Sequence, residues 1–280
     1  MSSSAQKSII IITGGASGIG LAITRHFAQQ HHDIAVLDIN STTGPSIIAS
    51  VQADHPQSTL TFKHCNVASW EEQARVFKEV YEQHGRRMDI VMANAGVSDR
   101  GENNITVLEG EDEEGPSQPN LVTVNVNFVG CLYTVKLAAY YMNKNPVSDG
   151  SSRGLIICTA SNAGLYPFPI SPVYSGTKAG IIGLVRSLEK PYAKHNIRIN
   201  ALAPAVLETN IAPDAALFRG MILTPFSTLT RGVQQFVDDS TLSGAIAEIH
   251  GDHVTLRGPP EVVDEDSAKN LEHFWSFGSA

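Results

Sequence analysis

The stretch Ile9-Ile10-Ile11-Ile12-Thr13-Gly14-Gly15-Ala16-Ser17-Gly18-Ile19-Gly20 decides the fold. Four consecutive β-branched residues suit a strand buried on both faces, as in a parallel sheet. A glycine-rich turn follows at once, and Leu21, Ala22 and Phe27 supply the apolar side of a helix behind it. Strand, tight loop and helix in that order make a phosphate cradle. Gly14, Gly18 and Gly20 permit a tight turn, close approach of a pyrophosphate to the backbone, and close packing of the helix on the strand. Backbone N–H groups at the helix start then face the anion. Three residues separate the first two of these glycines, where the commoner dinucleotide fingerprint has one.

Working outward, strands are predicted over 8–13, 34–37, 60–65, 89–93, 155–159 and 198–201, with helices in the intervals. Ser69 with Glu72 reads as a capping box opening a helix to Tyr81, which Gly85 ends. Two longer helices are predicted over 120–142 and 172–194. Such alternation implies an α/β fold: a single Rossmann-type doubly wound domain, its parallel sheet covered by helices on both faces. The ligand of such a sheet sits at the carboxyl ends of the strands. Asp38 stands there, eighteen residues after Gly20 at the end of the second strand. Its carboxylate suits both ribose hydroxyls and repels a 2′-phosphate, and neither Ile39 nor Asn40 offers a compensating cation. NAD is therefore expected over NADP.

Tyr174 and Lys178 lie four residues apart in Y-S-G-T-K, on one face of a helix, with Ser161 thirteen residues upstream. A free phenol has a pKa of about 10, too high for a base near neutrality, and a fixed cation beside it lowers that value. Ser161 is placed to hold the oxygen that gains or loses the proton. This is the chemistry of a phenol working as general acid and base.

Together these motifs resemble the short-chain dehydrogenase/reductase family, from Ser8 to about Ile211. Asn94-Ala95-Gly96 resembles its N-A-G segment, Asn127-Phe128-Val129-Gly130 its N-x-x-G segment, and 156–161 the strand that delivers the catalytic serine. The run from Asn200 through Pro204 to Thr209 resembles the segment that closes over the nicotinamide, with Ala205 where the family has glycine. The resemblance implies a catalytic tetrad of Asn127, Ser161, Tyr174 and Lys178. In it Lys178 also binds the nicotinamide ribose, and Asn127 positions a water linking Lys178 to solvent. It implies cofactor contacts from Gly14, Ser17, Gly18, Ile19 and Gly20 in the loop, and from Asp38 at the ribose. Asn66 and Val67 replace the family's Asp-Val at the adenine, Asn66 keeping a carbonyl acceptor. Further contacts are implied from Asn94, Ala95 and Gly96, from Tyr174 and Lys178, and from Pro204, Val206 and Thr209. The ending departs from the usual V-D-G-G and is closer to the hydroxyprostaglandin-dehydrogenase-like branch. There 244–258 is expected to form a helix and then a strand, followed by a tail with Phe274, Trp275 and Phe277.

Composition narrows the partners. The 280 residues carry a net charge of −8 without clustered Lys and Arg, which argues against nucleic acid. No uninterrupted apolar run reaches the roughly 18–20 residues of a membrane span. Cys65, Cys131 and Cys158 lie in apolar surroundings without disulfide or zinc spacing, and the histidines show no ligand spacing, so no metal is expected. The reading is a cytoplasmic enzyme acting on a small-molecule alcohol or ketone, paired into a homodimer or homotetramer through the helices at 120–142 and 172–194. One domain spans 1–280, with a substrate-lid segment at about 207–236, equally readable as a core or dimer helix, and a C-terminal extension at about 258–280. The acidic 99–119 segment reads as a solvated insertion. Leu165, Tyr166 and Phe168 beside Ser161 suggest a moderately apolar substrate, lipid-like, terpenoid or polyketide-like. A non-redox isomerase, lyase or cyclase, or a silent NAD-binding protein, is the alternative on the same fold.

Overall fold

A computed structural model describes residues 7–99, 105–106, 115, 117–147, 152–209 and 218–278. The first half comprises β1 (Ile9–Thr13), α1 (Gly18–Gln29), β2 (Asp33–Asp38), α2 (Gly44–Asp54), β3 (Thr59–His64), α3 (Trp70–Gln83) and β4 (Ile90–Ala93). Then come α4 (Val122–Val124), a π-helical segment (Asn125–Val129), α5 (Gly130–Met142) and β5 (Gly154–Thr159). The rest comprises α6 (Pro172–Ala193), β6 (Ile197–Pro204), α7 (Phe226–Asp238), β7 (Ile246–His250), β8 (His253–Arg257) and α8 (Glu265–Gly278).

The isoleucine run forms β1, and alternation explains why every position is apolar. Ile10 and Ile12 enter one core with Ile23 and Phe27 of α1, Ile48 of α2 and Leu229 of α7. Ile11 enters the opposite core with Phe77 of α3, Val135 of α5 and Ile181 of α6. Each fully buried isoleucine contributes about 1.5–3 kcal/mol. The sheet runs β3-β2-β1-β4-β5-β6-β7-β8. All neighbours are parallel except β7 and β8. The order reverses between β1 and β4, which is where a doubly wound sheet opens its crevice.

The capping box is half as expected. Ser69 accepts from Glu72 N at 3.2 Å, but the Glu72 carboxylate reaches back to Asn66 N, at 2.9 Å. Gly85, at φ +66°, ends α3, and Arg86 N bonds Tyr81 O at 2.8 Å in the six-to-one closure of a helix end.

Residues 246–250 form strand β7 where a helix was expected. The segment pairs with β6 along 201–204, and a turn through Gly251, at φ +47°, returns the chain as β8. A ready partner edge outweighs the weak local helix pattern. The lid expectation is divided. Residues 210–217 lie outside the described residues, while α7 is a core helix burying Leu229, Val233 and Phe236. Most of the 99–119 insertion, with its acidic run, also lies outside them.

The continuous helix Val122–Met142 is long and apolar enough to cross a membrane by length and composition, with a mean hydropathy of 1.3. In the fold it flanks the sheet and buries Cys131, Val135, Leu137, Ala138 and Met142 in the domain core.

Candidate active site

The carboxyl ends of β1, β4 and β5 are tied together by one asparagine. Asn94 Nδ2 donates to Thr13 O at 3.0 Å, and its Oδ1 accepts from Thr159 Oγ1 at 3.0 Å. Its side chain is thus spent on the sheet, and Ala95 closes the wall beside the glycine loop. A Cβ added at Gly14 would stand 2.9 Å from Ala95 Cα, and one at Gly20 only 2.0 Å from Gly14 O. Gly14 and Gly18 take φ of +63° and +50°, in the left-handed region that favours glycine. Ser17, in extended backbone, precedes α1, and Ile19 packs its side chain against the core below. Thr209 comes back over this loop, 3.3 Å from where a Cβ of Gly18 would lie. Pro204 ends β6, and Val206 O is held by Thr224 N at 2.7 Å.

Asp38 is buried at the end of β2. Its Oδ2 accepts from Ala16 N and its Oδ1 from Asn40 N, each at 3.0 Å, so the carboxylate braces the glycine loop with lone pairs to spare. Asn66 Oδ1 already accepts from Ala68 N at 3.0 Å, which leaves a second lone pair for an adenine amino group. Val67 is buried against Gly130. This cradle fits a dinucleotide: a pyrophosphate against Gly14–Gly20 and a ribose at Asp38.

Tyr174, Ser161 and Lys178 are brought together at the mouth of the crevice. Lys178 Nζ lies 5.5 Å from the centre of the Tyr174 ring, and the Ser161 hydroxyl, which accepts from Ala163 N at 3.1 Å and donates to Asn162 Oδ1 at 3.3 Å, stands near enough to favour the ionised phenol. Gly164 makes this possible, because a Cβ there would stand 2.6 Å from the backbone of Lys178, so only glycine lets the turn after Ser161 pack on α6. Sequence reading passed over Gly164, as nothing local distinguishes it from any turn glycine. Gly96 gives a milder version of this on the other side, where side-chain ends rather than backbone come close. A Cβ there would be 3.2 Å from Asn127 Oδ1 and 3.5 Å from Lys178 Nζ.

Burial sets the electrostatics. It holds Lys178 down to about 8, and it pushes the Tyr174 phenol up, with the nearby Ser161 hydroxyl opposing the rise and the charge of Asp99 adding to it. The net direction for the phenol is opposite to the one the Lys178 spacing alone suggests. Asn127 is buried in the π-helical segment with both amide N–H groups and one lone pair of Oδ1 engaged. Oδ1 accepts from Val97 N at 2.7 Å, and Nδ2 donates to Val97 O at 2.8 Å and to Thr177 Oγ1 at 3.3 Å. Among the described residues no cluster of His, Cys, Asp or Glu suits a metal.

A doubly wound sheet with a glycine loop at its switch point and a Ser-Tyr-Lys cluster beside it is the architecture of a dinucleotide-binding α/β protein. Residues 8–218 match the model of the short chain dehydrogenase family, and the chain belongs to that family, whose members bind a nicotinamide cofactor. It is 31% identical over 245 residues to the short-chain dehydrogenase/reductase prx7 of Penicillium rubens, covering 85% of this chain and 83% of that protein. It is 30% identical over 262 residues to the 15-hydroxyprostaglandin dehydrogenase [NAD(+)] of Rattus norvegicus, covering 86% and 90%. The fold matches the NADPH-dependent 3-quinuclidinone reductase of Rhodotorula rubra with a TM-score of 0.73 at 22% identity, covering 89% of this chain and 92% of that one.

Proposed function

We propose that the chain is an NAD-dependent oxidoreductase interconverting a secondary alcohol and a ketone on a moderately apolar small molecule. The observation that carries this reading is the convergence of Ser161, Tyr174 and a buried Lys178, its Nζ 5.5 Å from the Tyr174 ring, at the carboxyl edge next to the glycine cradle. When bound, oxidised nicotinamide supplies the hydride acceptor. Tyr174 Oη takes the hydroxyl proton of the alcohol while Ser161 Oγ holds the same oxygen. The carbinol carbon gives up its hydrogen with the bonding electron pair, and the ketone departs. Reduction runs the same path backwards. Lys178, anchored on Thr159 O, is placed to hold the nicotinamide ribose, while burial outweighs any pull of its charge on the phenol, so proton abstraction by Tyr174 is favoured as pH rises. With the amide N–H groups of Asn127 spent on Val97 and Thr177, a water leading from Lys178 to solvent has the second lone pair of Oδ1 or the asparagine's backbone to rest on.

NAD is favoured by Asp38, and the name of the rat relative carries the same cofactor. The apolar substrate is supported by exposed Phe168 and Ile170 after β5 and by Ile222 and Leu223 after β6, all on loops leaving the carboxyl edge. Three buried free thiols fit a reducing, cytoplasmic setting. The test is NADH absorbance with a panel of secondary alcohols and ketones. Turnover supports the reading. Tight NAD binding without turnover of any of them moves the weight to a non-redox isomerase, lyase or cyclase, or to a silent binding protein.

A further inference from the structure

Three charged side chains are buried among the described residues: Asp38, Lys178 and Glu248. The first two belong to the glycine cradle and the Ser-Tyr-Lys cluster, and the dehydrogenase chemistry gives no task to the third. Glu248 stands on β7 opposite Ala203, one residue before β6 ends at Pro204, so it sits close to the same carboxyl edge of the sheet. Its Oε2 accepts from Tyr166 Oη at 3.1 Å and faces Arg257 Nη1 of β8 at 3.5 Å. The end of β8 is held in turn by α6, where Arg186 Nη2 donates to Arg257 O at 3.2 Å and to Gly258 O at 2.7 Å.

Tyr166 closes the turn that begins at Ser161. Gly164 N bonds Ser161 O at 3.0 Å, and Tyr166 N bonds Asn162 O at 2.8 Å. The close approach of Gly164 to the backbone of Lys178 fixes one side of this turn. The other side is fixed by the Tyr166 hydroxyl, which reaches a partner 82 residues away in the chain. Tyr166 is 45% exposed, so burial of its ring does little to place it. A charge-assisted hydrogen bond to a buried carboxylate does.

We propose that Glu248 is a positioning residue that acts through Tyr166: their hydrogen bond holds the Ser161 turn against β7, and so keeps the Ser161 hydroxyl in place beside Tyr174. The role of Ser161 rests on the dehydrogenase reading of the site. Stability alone is a poor reason for the carboxylate, because its partners return the lost solvation only in part and an apolar residue of similar size would suit a buried strand as well. Placement is a sufficient reason, since a shift of about 1 Å at a reacting group can cost on the order of 10²-fold in rate.

Tyr166→Phe removes the bond and keeps the ring, while Glu248→Leu removes the acceptor. Glu248→Gln discards the charge but keeps a carbonyl for the hydroxyl. Hydrogen exchange on the full cofactor-free chain, read at the amides of 164–166, should be about 10-fold faster or more in Tyr166→Phe and Glu248→Leu, near wild type in Glu248→Gln, and unchanged along β1. NADH-dependent reduction of a panel of cyclic and open-chain ketones is followed in parallel. There kcat should fall about 5- to 50-fold in the same two variants with NADH affinity unchanged, and Glu248→Gln should restore it. Added to Ser161→Ala, neither substitution should cost anything further, because the group it positions is gone. Should Glu248→Leu fail to fold, Tyr166→Phe decides alone. Wild-type exchange in Tyr166→Phe, a loss of protection shared with β1, a Glu248→Gln protein as impaired as Glu248→Leu, or a kcat loss that adds in full to that of Ser161→Ala would each overturn the inference. Local loss of protection, with no ketone reduced even by the wild type, supports the hold on the turn and rejects the dehydrogenase reading. Turnover with unaltered exchange does the reverse.

Discussion

Lys178 Nζ donates a 2.6 Å hydrogen bond to the carbonyl of Thr159, the last residue of β5 and two residues before Ser161. The strand that delivers the serine therefore also anchors the lysine, and the two groups keep their spacing to Tyr174 without a ligand. The anchor is an uncharged carbonyl in a buried place, which is why desolvation dominates the lysine.

Lys178→Met should stabilise the cofactor-free protein at neutral pH. The folded lysine titrates at about 8, against the usual 10.5 expected in the unfolded chain. The liability is full below pH 8 and is relieved as pH rises to 10.5, because in that window the unfolded chain holds more protons. The gain at pH 7 is on the order of 1–3 kcal/mol, offset in part by the lost bond to Thr159. Urea denaturation across pH 7 to about 10 measures it. A difference between variant and wild type that does not change through this window contradicts the account.

Tyr174→Phe deletes only the phenol oxygen and should cost about 10²- to 10⁴-fold in turnover while NAD binding persists. In the wild type, alcohol oxidation should rise with pH and ketone reduction fall, because burial holds the phenol above its usual value. Stopped-flow rates over a pH series decide both points, and near-normal turnover in the variant would remove Tyr174 from the mechanism.

Replacing Asp38 with Ala and Ile39 with Arg should reverse cofactor preference. The wild-type carboxylate is worth on the order of 1–4 kcal/mol against a 2′-phosphate, or roughly 10- to 1,000-fold in affinity. Titration of both cofactors into both proteins checks it. Equal wild-type affinities would mean that the ribose lies elsewhere.

Gly20→Ala should weaken both the fold and the cofactor site, since its Cβ would fall 2.0 Å from Gly14 O and force α1 off β1. A loss of about 1–3 kcal/mol in unfolding free energy is expected. Unchanged denaturation midpoint and NAD affinity would contradict the packing.

Sedimentation at micromolar concentration should show a homo-oligomer. The apolar surface available to it is smaller than the helix sequences suggest, because Ala138 and Val185 face the chain's own core. Ala139, Leu184 and Leu188 are only partly covered, and Tyr140 is 53% exposed. A pure monomer would count against pairing through α5 and α6.

By itself the sequence determined those features whose chemistry is local. The β-branched run, the glycines at positive φ and the i, i+4 spacing of Tyr174 and Lys178 each need only their neighbours in the chain, and β1, the loop, α1 and α6 stand where they were read. Asp38 at a strand end belongs with them. Only the tertiary structure decided features whose energy comes from distant partners. Residues 246–250 are a strand because β6 offers an edge. The Asn127 amide clamps Val97 because the loop after β4 comes to meet it. Gly164 matters because α6 packs on it, and the insertion's first residue, Asp99, comes to bond Val173 N at the start of α6. The direction in which the phenol is pushed belongs to this second kind. It is set by burial and by a carboxylate 75 residues away in the chain, which spacing along a single helix does not reveal.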